Sequence, residues 1–333
     1  MTNRLQNGTL HNQRLLHPRA SMQYGRILLA VVTTFAAFQL LTYIAYHHRS
    51  IPRPSATTSI HRKIWQTSKL APMALEKEYQ DNIRLWDEKN PMWRHEILTD
   101  DGAFEYVRDT FAGNPDIVKT FTTLTDNIMR ADFFRYLVLL GDGGVYSDMD
   151  TEALRPIETW IPEEYKNKTN AVVGVEYDTF GQGRGMALLD LQLVNWTIMS
   201  RANHRLMELV VENVIAALNA LAQKQGVPLS MIKANFNDVL ASTGPVQLTR
   251  STWHYLTEVT GQEFTWERVS GITEPLLVHD VLILPVTAFG NGQSHSNAGP
   301  PTDPSALVHH QFKGSWKTGS HAYKEMQKAE EAS

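Results

Sequence analysis

The residues best placed to do chemistry lie in one stretch, RADFFRYLVLLGDGGVYSDMD, which ends on Asp148 and Asp150. A D-x-D pair alone means little, because in a chain of 333 residues with 16 aspartates one is expected by chance. Its setting carries more weight. Val145 and Tyr146 read as a short strand after a glycine turn, and on an extended chain residues i and i+2 face the same side. Two carboxylates so placed can share one hard cation, and oxygen ligands of this kind suit Mn²⁺ or Mg²⁺, which also bind substrate phosphates. A cation there would neutralise the charge that develops on a departing diphosphate. Asp132 and Arg135 sit three apart on the preceding helical stretch, on neighbouring positions of one face. They read either as a surface ion pair or as an acid for a sugar hydroxyl beside a guanidinium for phosphate. Gly143 and Gly144 either let the backbone approach a ligand or end that helix.

Two other chemistries fit less well. Glycoside hydrolysis also needs paired carboxylates, but these flank the scissile bond at about 5–9.5 Å rather than sharing one strand edge. GQGRG (181–185) would cradle phosphate only in a strand-to-helix setting with a Walker lysine, and it reads as a surface loop.

The elements that must position these groups alternate. IHRKIWQT (60–67), WRHEILT (93–99), VYSDMD, AVVGVEY (171–177), VLILPV (281–286) and ALVHHQF (306–312) read as strands. Helices are predicted over 73–88, from a cap at Asp100 or Asp101, from a cap at Asp126, and over 204–223 and 246–259. Such alternation predicts an α/β fold with a mostly parallel, doubly wound sheet, which binds ligands at the carboxyl ends of its strands.

The composition is globular, with 42% hydrophobic and 20% charged residues. The absence of cysteine excludes a disulfide scaffold, a zinc finger, a cysteine nucleophile and an iron–sulfur centre. The net charge of −4 hides an asymmetry. Residues 1–46 carry four arginines and no acid, which leaves 27 basic against 35 acidic residues in the remainder. No nucleic-acid partner is expected of so acidic a domain. Residues 27–46 (ILLAVVTTFAAFQLLTYIAY) hold sixteen apolar residues of twenty and no charge. As a helix the run would reach about 30 Å, the hydrocarbon thickness of a bilayer. It is longer than the apolar core of a secretory signal, and no convincing cleavage site follows it. The expected organisation is a cytoplasmic tail (1–26), one transmembrane signal anchor (27–46), a Pro/Ser/Thr-rich stem (47–59) and one folded domain (60–325). No second span is expected. The positive-inside rule leans slightly towards a cytoplasmic N-terminus, giving a type II membrane protein.

The run RADFFRYLVLLGDGGVYSDMDTEALRPI resembles the signature of glycosyltransferase family 32, and within it that of the fungal initiation-specific α-1,6-mannosyltransferases. Other segments match in register: IHRKIWQTSK (60–69), NWTIMSRANHRLM (195–207) with Arg205 where a proline is common, STGP (242–245), and VHHQFKGSWK (308–317) with Gln311 as an extra residue. The resemblance covers about residues 60–317. It implies a GT-A type nucleotide-sugar-binding domain and a retaining transfer that needs Mn²⁺ (or Mg²⁺). The implied donor is a nucleotide sugar, foremost GDP-mannose and otherwise a UDP-sugar. The acceptor would be an N-glycan or glycolipid in the Golgi lumen. A non-catalytic glycan-binding subunit of a transferase complex is the other class of reading, and it would expect erosion of the acidic site.

Carried over by position, Asp132 and Arg135 would contact donor sugar and phosphates, and Tyr146 would pack against or bond the donor. Asp148 would face ribose, sugar or a metal-bound water, with Asp150 the more direct metal ligand. Trp65 either stacks on the nucleobase or fills the core. His309 and His310 alternate sides of a strand, so one faces the cation, with His310 favoured. Trp316 and Lys317 either close over the diphosphate or are a packing Trp beside a surface Lys. Glu176, at the end of AVVGVEY, either reaches the acceptor or is a solvated carboxylate. Asn167 and Asn195 head sequons, and burial of Asn195 is expected to keep it unmodified.

Overall fold

The computed structural model describes residues 59–184 and 187–314. The expected tail, apolar run and nearly all of the stem lie outside the described residues, as do Trp316 and Lys317. Contacts divide the chain into Met1–Pro52 and Arg53–Ser333, and every described residue falls in the second unit.

Strand β1 (Lys63–Thr67) leads through a 3-10 turn to helix α1 (Lys77–Lys89), which buries Asn82 and Trp86. Strand β2 (Arg94–Leu98) then pairs in parallel with β1. Helix α2 (Asp100–Thr110) is capped by the Thr99 side chain, which accepts from the Gly102 N–H. The cap therefore lies one residue before the expected aspartates, and Asp100 and Asp101 sit in the first turn, where acids favour the positive helix end. Helix α3 (Pro115–Thr123) was not foreseen; Pro115 occupies its first position. Helix α4 (Asn127–Gly141) starts as expected at Asp126, whose carboxylate accepts from the N–H groups of Ile128 and Met129. It is buried almost all round, including Asp132 and Arg135.

Strand β3 (Gly143–Ser147) follows within two residues. Gly143 and Gly144 adopt φ of 70° and 105° and are the first strand residues, not helix terminators. A Cβ on Gly143 would strike the Ala202 backbone, and one on Gly144 would strike the Lys63 carbonyl. Both are fully enclosed by neighbouring strands, so neither offers its backbone to a ligand. Strand β4 (Thr151–Ala153) comes three residues after β3 ends. Strands β5 (Ala171–Asp178), β6 (Leu191–Leu193) and β7 (Thr197–Arg201) run consecutively, with no helix between them. Helices α5 (Arg205–Gln225), α6 (Phe236–Ser242) and α7 (Pro245–Thr260) form a layer. Strands β8 (Leu276–Val278) and β9 (Val281–Leu284), short helix α8 (Val286–Gly290) and strand β10 (Val308–His310) complete the described elements.

The main sheet has the order β2-β1-β3-β7-β5-β9-β8, with β6 attached to β5. Strands β2, β1, β3, β5 and β9 point one way, while β7, β6 and β8 oppose them. The sheet is thus mixed and only largely parallel. The expected strand–helix alternation fails at β5, β6 and β7, where no helix intervenes and β6 and β7, three residues apart, both pair antiparallel with β5. Strand β10 does not join this sheet. It pairs antiparallel with β4, placing His310 opposite Thr151.

Helix α5 is long and apolar enough to cross a membrane by length and composition, but it is largely buried and packs against α4 and α7. It is a core helix, started by His204, whose ring accepts from Leu206 N–H, and closed by left-handed Gly226.

The Gly144 contact is among the tightest constraints beside the site. Gly144→Ala is expected to destabilise the domain by about 2–4 kcal/mol, through a strained φ and displacement of β1. Unchanged denaturant midpoints would contradict this role.

Candidate functional site

Asp148, Met149 and Asp150 form the turn between β3 and β4, not the strand end that spacing predicted. The turn is fixed by its backbone. The Asp148 N–H donates to Trp196 O at 2.9 Å, and Asp148 O accepts from Gln66 Nε2 at 3.1 Å and Thr151 Oγ1 at 2.6 Å. Met149 O accepts from Asn82 Nδ2 at 3.3 Å, and Asp150 O from the Gln311 N–H at 2.9 Å. Strands β1 and β4, helix α1 and the segments flanking β7 and β10 thus hold the backbone of the turn.

They point to different partners. Asp148 Oδ1 accepts from the Tyr146 hydroxyl at 2.9 Å and pairs with Arg135 Nη2 at 3.3 Å. Asp150 Oδ1 meets His310 Nε2 at 3.2 Å, and its Oδ2 accepts from the Lys313 N–H at 3.1 Å. One ligand atom each from Asp148, Asp150 and His310 lie within 4.8 Å of one another. His310 stacks on Trp196 with centroids 4.6 Å apart, and its buried Nδ1 has no hydrogen-bond partner. Two carboxylates and one imidazole are a donor set that fits Mn²⁺, with Nε2 the ring nitrogen that faces Asp150. The neighbouring His309 instead meets Asn291 Oδ1 at 2.9 Å, so of the two it is His310 that lies beside the acidic turn.

Behind the turn lies a buried ionic pair. Arg135 Nη2 meets Asp132 Oδ1 at 2.9 Å, and Arg135 Nη1 donates to Asn195 O at 2.8 Å. Asp132 also accepts from Asn195 Nδ2 at 3.2 Å and Thr243 Oγ1 at 3.0 Å. Asp132 and Arg135 are 4% and 5% exposed, so they are not the surface pair that spacing allowed. In this structure both bond protein groups, and Arg135 reaches the acidic turn through Asp148.

Other expected site residues are placed as follows. Tyr146 is buried under the Arg135 guanidinium, 5.2 Å from its ring centroid, and supports Asp148 instead of facing outward. Trp65 is buried too. Its indole N–H donates to Gly143 O at 2.9 Å and its ring meets Tyr106 edge-on, so it fills the core and offers no face to a base. Residues 181–184 form an exposed loop not followed by a helix, as expected of a non-phosphate loop. Asn195 is buried against Asp132, as expected for an unused sequon, and Asn167 is exposed. Gln311 closes the turn and ties Asn82 to Glu152 through its side-chain amide.

Asn195, Thr243, Gln66 and Lys313 were missed as site residues. Their signal was present, since the NWT, STGP, first-strand and terminal segments were matched in register. No residue-type rule, however, marks a neutral Asn or Thr as the partner of a buried acid.

Burial pushes the Asp132 carboxyl up to about 6, against the opposing charge of Arg135. Burial also raises Asp148, again opposed by Arg135, and the nearby Asp150 adds to the rise. At Asp150 burial acts upward, but the His310 hydrogen bond and charge and the Lys313 N–H outweigh it, and the carboxyl is held below its ordinary value. A divalent cation would relieve the repulsion between Asp148 and Asp150 that now falls on Arg135 and His310. For Asp132 the folded value lies above the ordinary 3.8, so its stabilising contribution is full below the unfolded value and is lost as pH rises through about 6. Asparagine does not titrate. The stability of Asp132→Asn relative to the natural chain is therefore expected to rise by about 2–3 kcal/mol between pH 4 and pH 8. Denaturant titrations at several pH values check this, and a pH-independent difference would contradict it.

Residues 76–166 match the family described as "Glycosyltransferase sugar-binding region containing DXD motif". Beyond that region, the chain is 28% identical over 299 residues to the "Initiation-specific alpha-1,6-mannosyltransferase" of Candida albicans, covering 84% of this chain and 76% of that protein. It is 34% identical over 262 residues to the protein of the same name from Schizosaccharomyces pombe, covering 78% of this chain and 64% of that one. A solved structure titled "PaToxG Glycosyltransferase" aligns with 61% of this chain and 72% of its own at 14% identity, with a TM-score of 0.39, too low to bear on the fold. The family match spans the Asp132–Arg135 pair and the Asp148–Asp150 turn, and the fungal similarity runs on through the strands and helices that hold them: the chain is a glycosyltransferase.

Proposed function

We propose that this chain transfers mannose from GDP-mannose to a glycan acceptor in a divalent-cation-dependent, configuration-retaining reaction. The observation that carries the reading is the convergence of Asp148, Asp150 and His310 on one point, backed by Arg135. The mannosyl specificity is supported by the names of the two fungal relatives. The apolar run at 27–46 supports a membrane-anchored enzyme with its catalytic domain in the Golgi lumen.

Asp148, Asp150 and His310 would hold Mn²⁺, which supplies neutralisation of the nucleoside diphosphate as it leaves. The chain's own residues do the positioning. Asp132, fixed by Thr243 and Asn195, holds Arg135; Arg135 and Tyr146 hold Asp148; Lys313 N–H and His310 hold Asp150. Groups fixed before substrate arrives need no reorganisation during reaction, which is where preorganised electrostatics lower a barrier. Because the whole acidic set is intact and mutually bonded, the site supports an enzyme over a non-catalytic subunit.

Asp150→Ala is expected to lower mannosyl transfer at least about 1,000-fold and to abolish the Mn²⁺-dependent part of GDP binding. EDTA should do the same to the natural chain. Full transfer by the variant, or by the natural chain in EDTA, would overturn the metal-dependent reading.

A further inference from the structure

Glu176 is not engaged by the site as described. It lies near the carboxyl end of β5, which points the same way as β1 and β3, so its end of the strand shares an edge with Tyr146 and the acidic turn. Ligands bind along that edge in sheets of this kind. The pairing of β5 with β6 is regular at Val175–Leu193 but shifts before Tyr177–Gln192, leaving Glu176 as the extra residue of a bulge. Bulges beside active sites re-aim a side chain out of the alternating pattern. Here the carboxylate remains half-buried, accepts one hydrogen bond from Gln192 Nε2 at 2.8 Å, and lies within electrostatic reach of His310. Among the described residues no basic side chain forms an ion pair with it. Next to it, the Val194 N–H donates to Gly174 O at 2.9 Å, and this brings in the segment whose Trp196 carries the His310 stack.

A half-buried carboxylate with a single neutral hydrogen-bond partner and no ion pair is costly unless a ligand completes it. Burial has the same effect on its proton, holding the carboxyl up at about 7. Asp132 and Arg135 lie on the α4 side of the acidic turn, whereas Glu176 lies two strands away, across β7. We propose that Glu176 binds a hydroxyl of the acceptor sugar and so sets the acceptor against the donor. This rests on the transferase reading above. In the step it serves, the acceptor hydroxyl oxygen forms a bond to the anomeric carbon as the bond from that carbon to the diphosphate oxygen breaks. The electron pair leaves with the diphosphate, and the hydroxyl proton ends on the departing phosphate oxygen. Glu176 accepts a hydrogen bond from the acceptor and orients it, without keeping the proton.

The test uses the full chain with Mn²⁺, GDP-mannose and a mannose oligosaccharide, comparing Glu176→Gln and Glu176→Ala with the natural chain. Both variants are expected to lose about 10- to 100-fold in kcat/KM for the oligosaccharide, chiefly through its KM, as loss of a charged hydrogen bond would give. GDP binding should stay within about twofold, and it reports that each variant is folded. Glu176→Gln is isosteric and can still accept from Gln192, so it separates the charge from the packing. An unchanged acceptor KM in both variants, or GDP affinity that falls in parallel with transfer, would overturn the role of Glu176. Failure of the natural chain to bind GDP or turn over GDP-mannose would overturn the transferase reading instead.

Discussion

The arrangement depends on one buried guanidinium. Arg135 lies between Asp132 at 2.9 Å and Asp148 at 3.3 Å, and its other amino group is fixed by Asn195 O. A lone buried charge would cost several kcal/mol, and removing one partner of such a pair costs about 3–5 kcal/mol, because the other is left uncompensated. Helix α4 therefore cannot slide or rotate against the β3–β4 turn without breaking this bridge. The α4 helix gains its place from apolar burial on nearly every side, and the guanidinium turns that place into a fixed direction for Asp148. Thr243 extends the constraint to the segment before α7, and Asn195 extends it to the start of β7.

Distant parts of the chain meet at Asp150 by a different device. Strand β10 pairs with β4 outside the main sheet, so a register set by three residue pairs carries His310 beside the turn. Gln311 then donates its N–H to Asp150 O, and Lys313 donates its own to the carboxylate. The acidic turn is thus held from behind by α4 and closed from the front by a segment some 160 residues later. One partner supplies positive charge that is always present, and the other supplies an imidazole nitrogen beside the carboxylate.

Much of this was legible in the sequence, for physical reasons that differ from element to element. Asp126 marked its helix because a side-chain cap needs only local geometry, and the buried strand AVVGVEY announced itself by the apolar run AVVGV that opens it. The D-x-D pair and His310 were singled out in the sequence and the fold brings them together, although the carboxylates lie in a turn and not along a strand. What escaped reading depends on tertiary contact. Gly143 and Gly144 look like ligand loops or helix stops, and only the neighbouring backbones of Lys63 and Ala202 show that they are packing glycines. Trp65 and Tyr146 carry aromatic faces suited to a donor, yet both are buried behind the site. Strands β6 and β7 were not read as strands at all, and the antiparallel part of the sheet, their pairing with β5 and β3, was missed with them.

The central claim is that Asp148, Asp150 and His310 together bind a divalent cation. Pulsed electron paramagnetic resonance of Mn²⁺ bound to the full chain in the presence of GDP reports its ligands directly. Coupling to one imidazole nitrogen is predicted in the natural chain, and its loss in His310→Ala. Mn²⁺ bound without nitrogen coupling, or coupling that survives in the variant, would contradict the site.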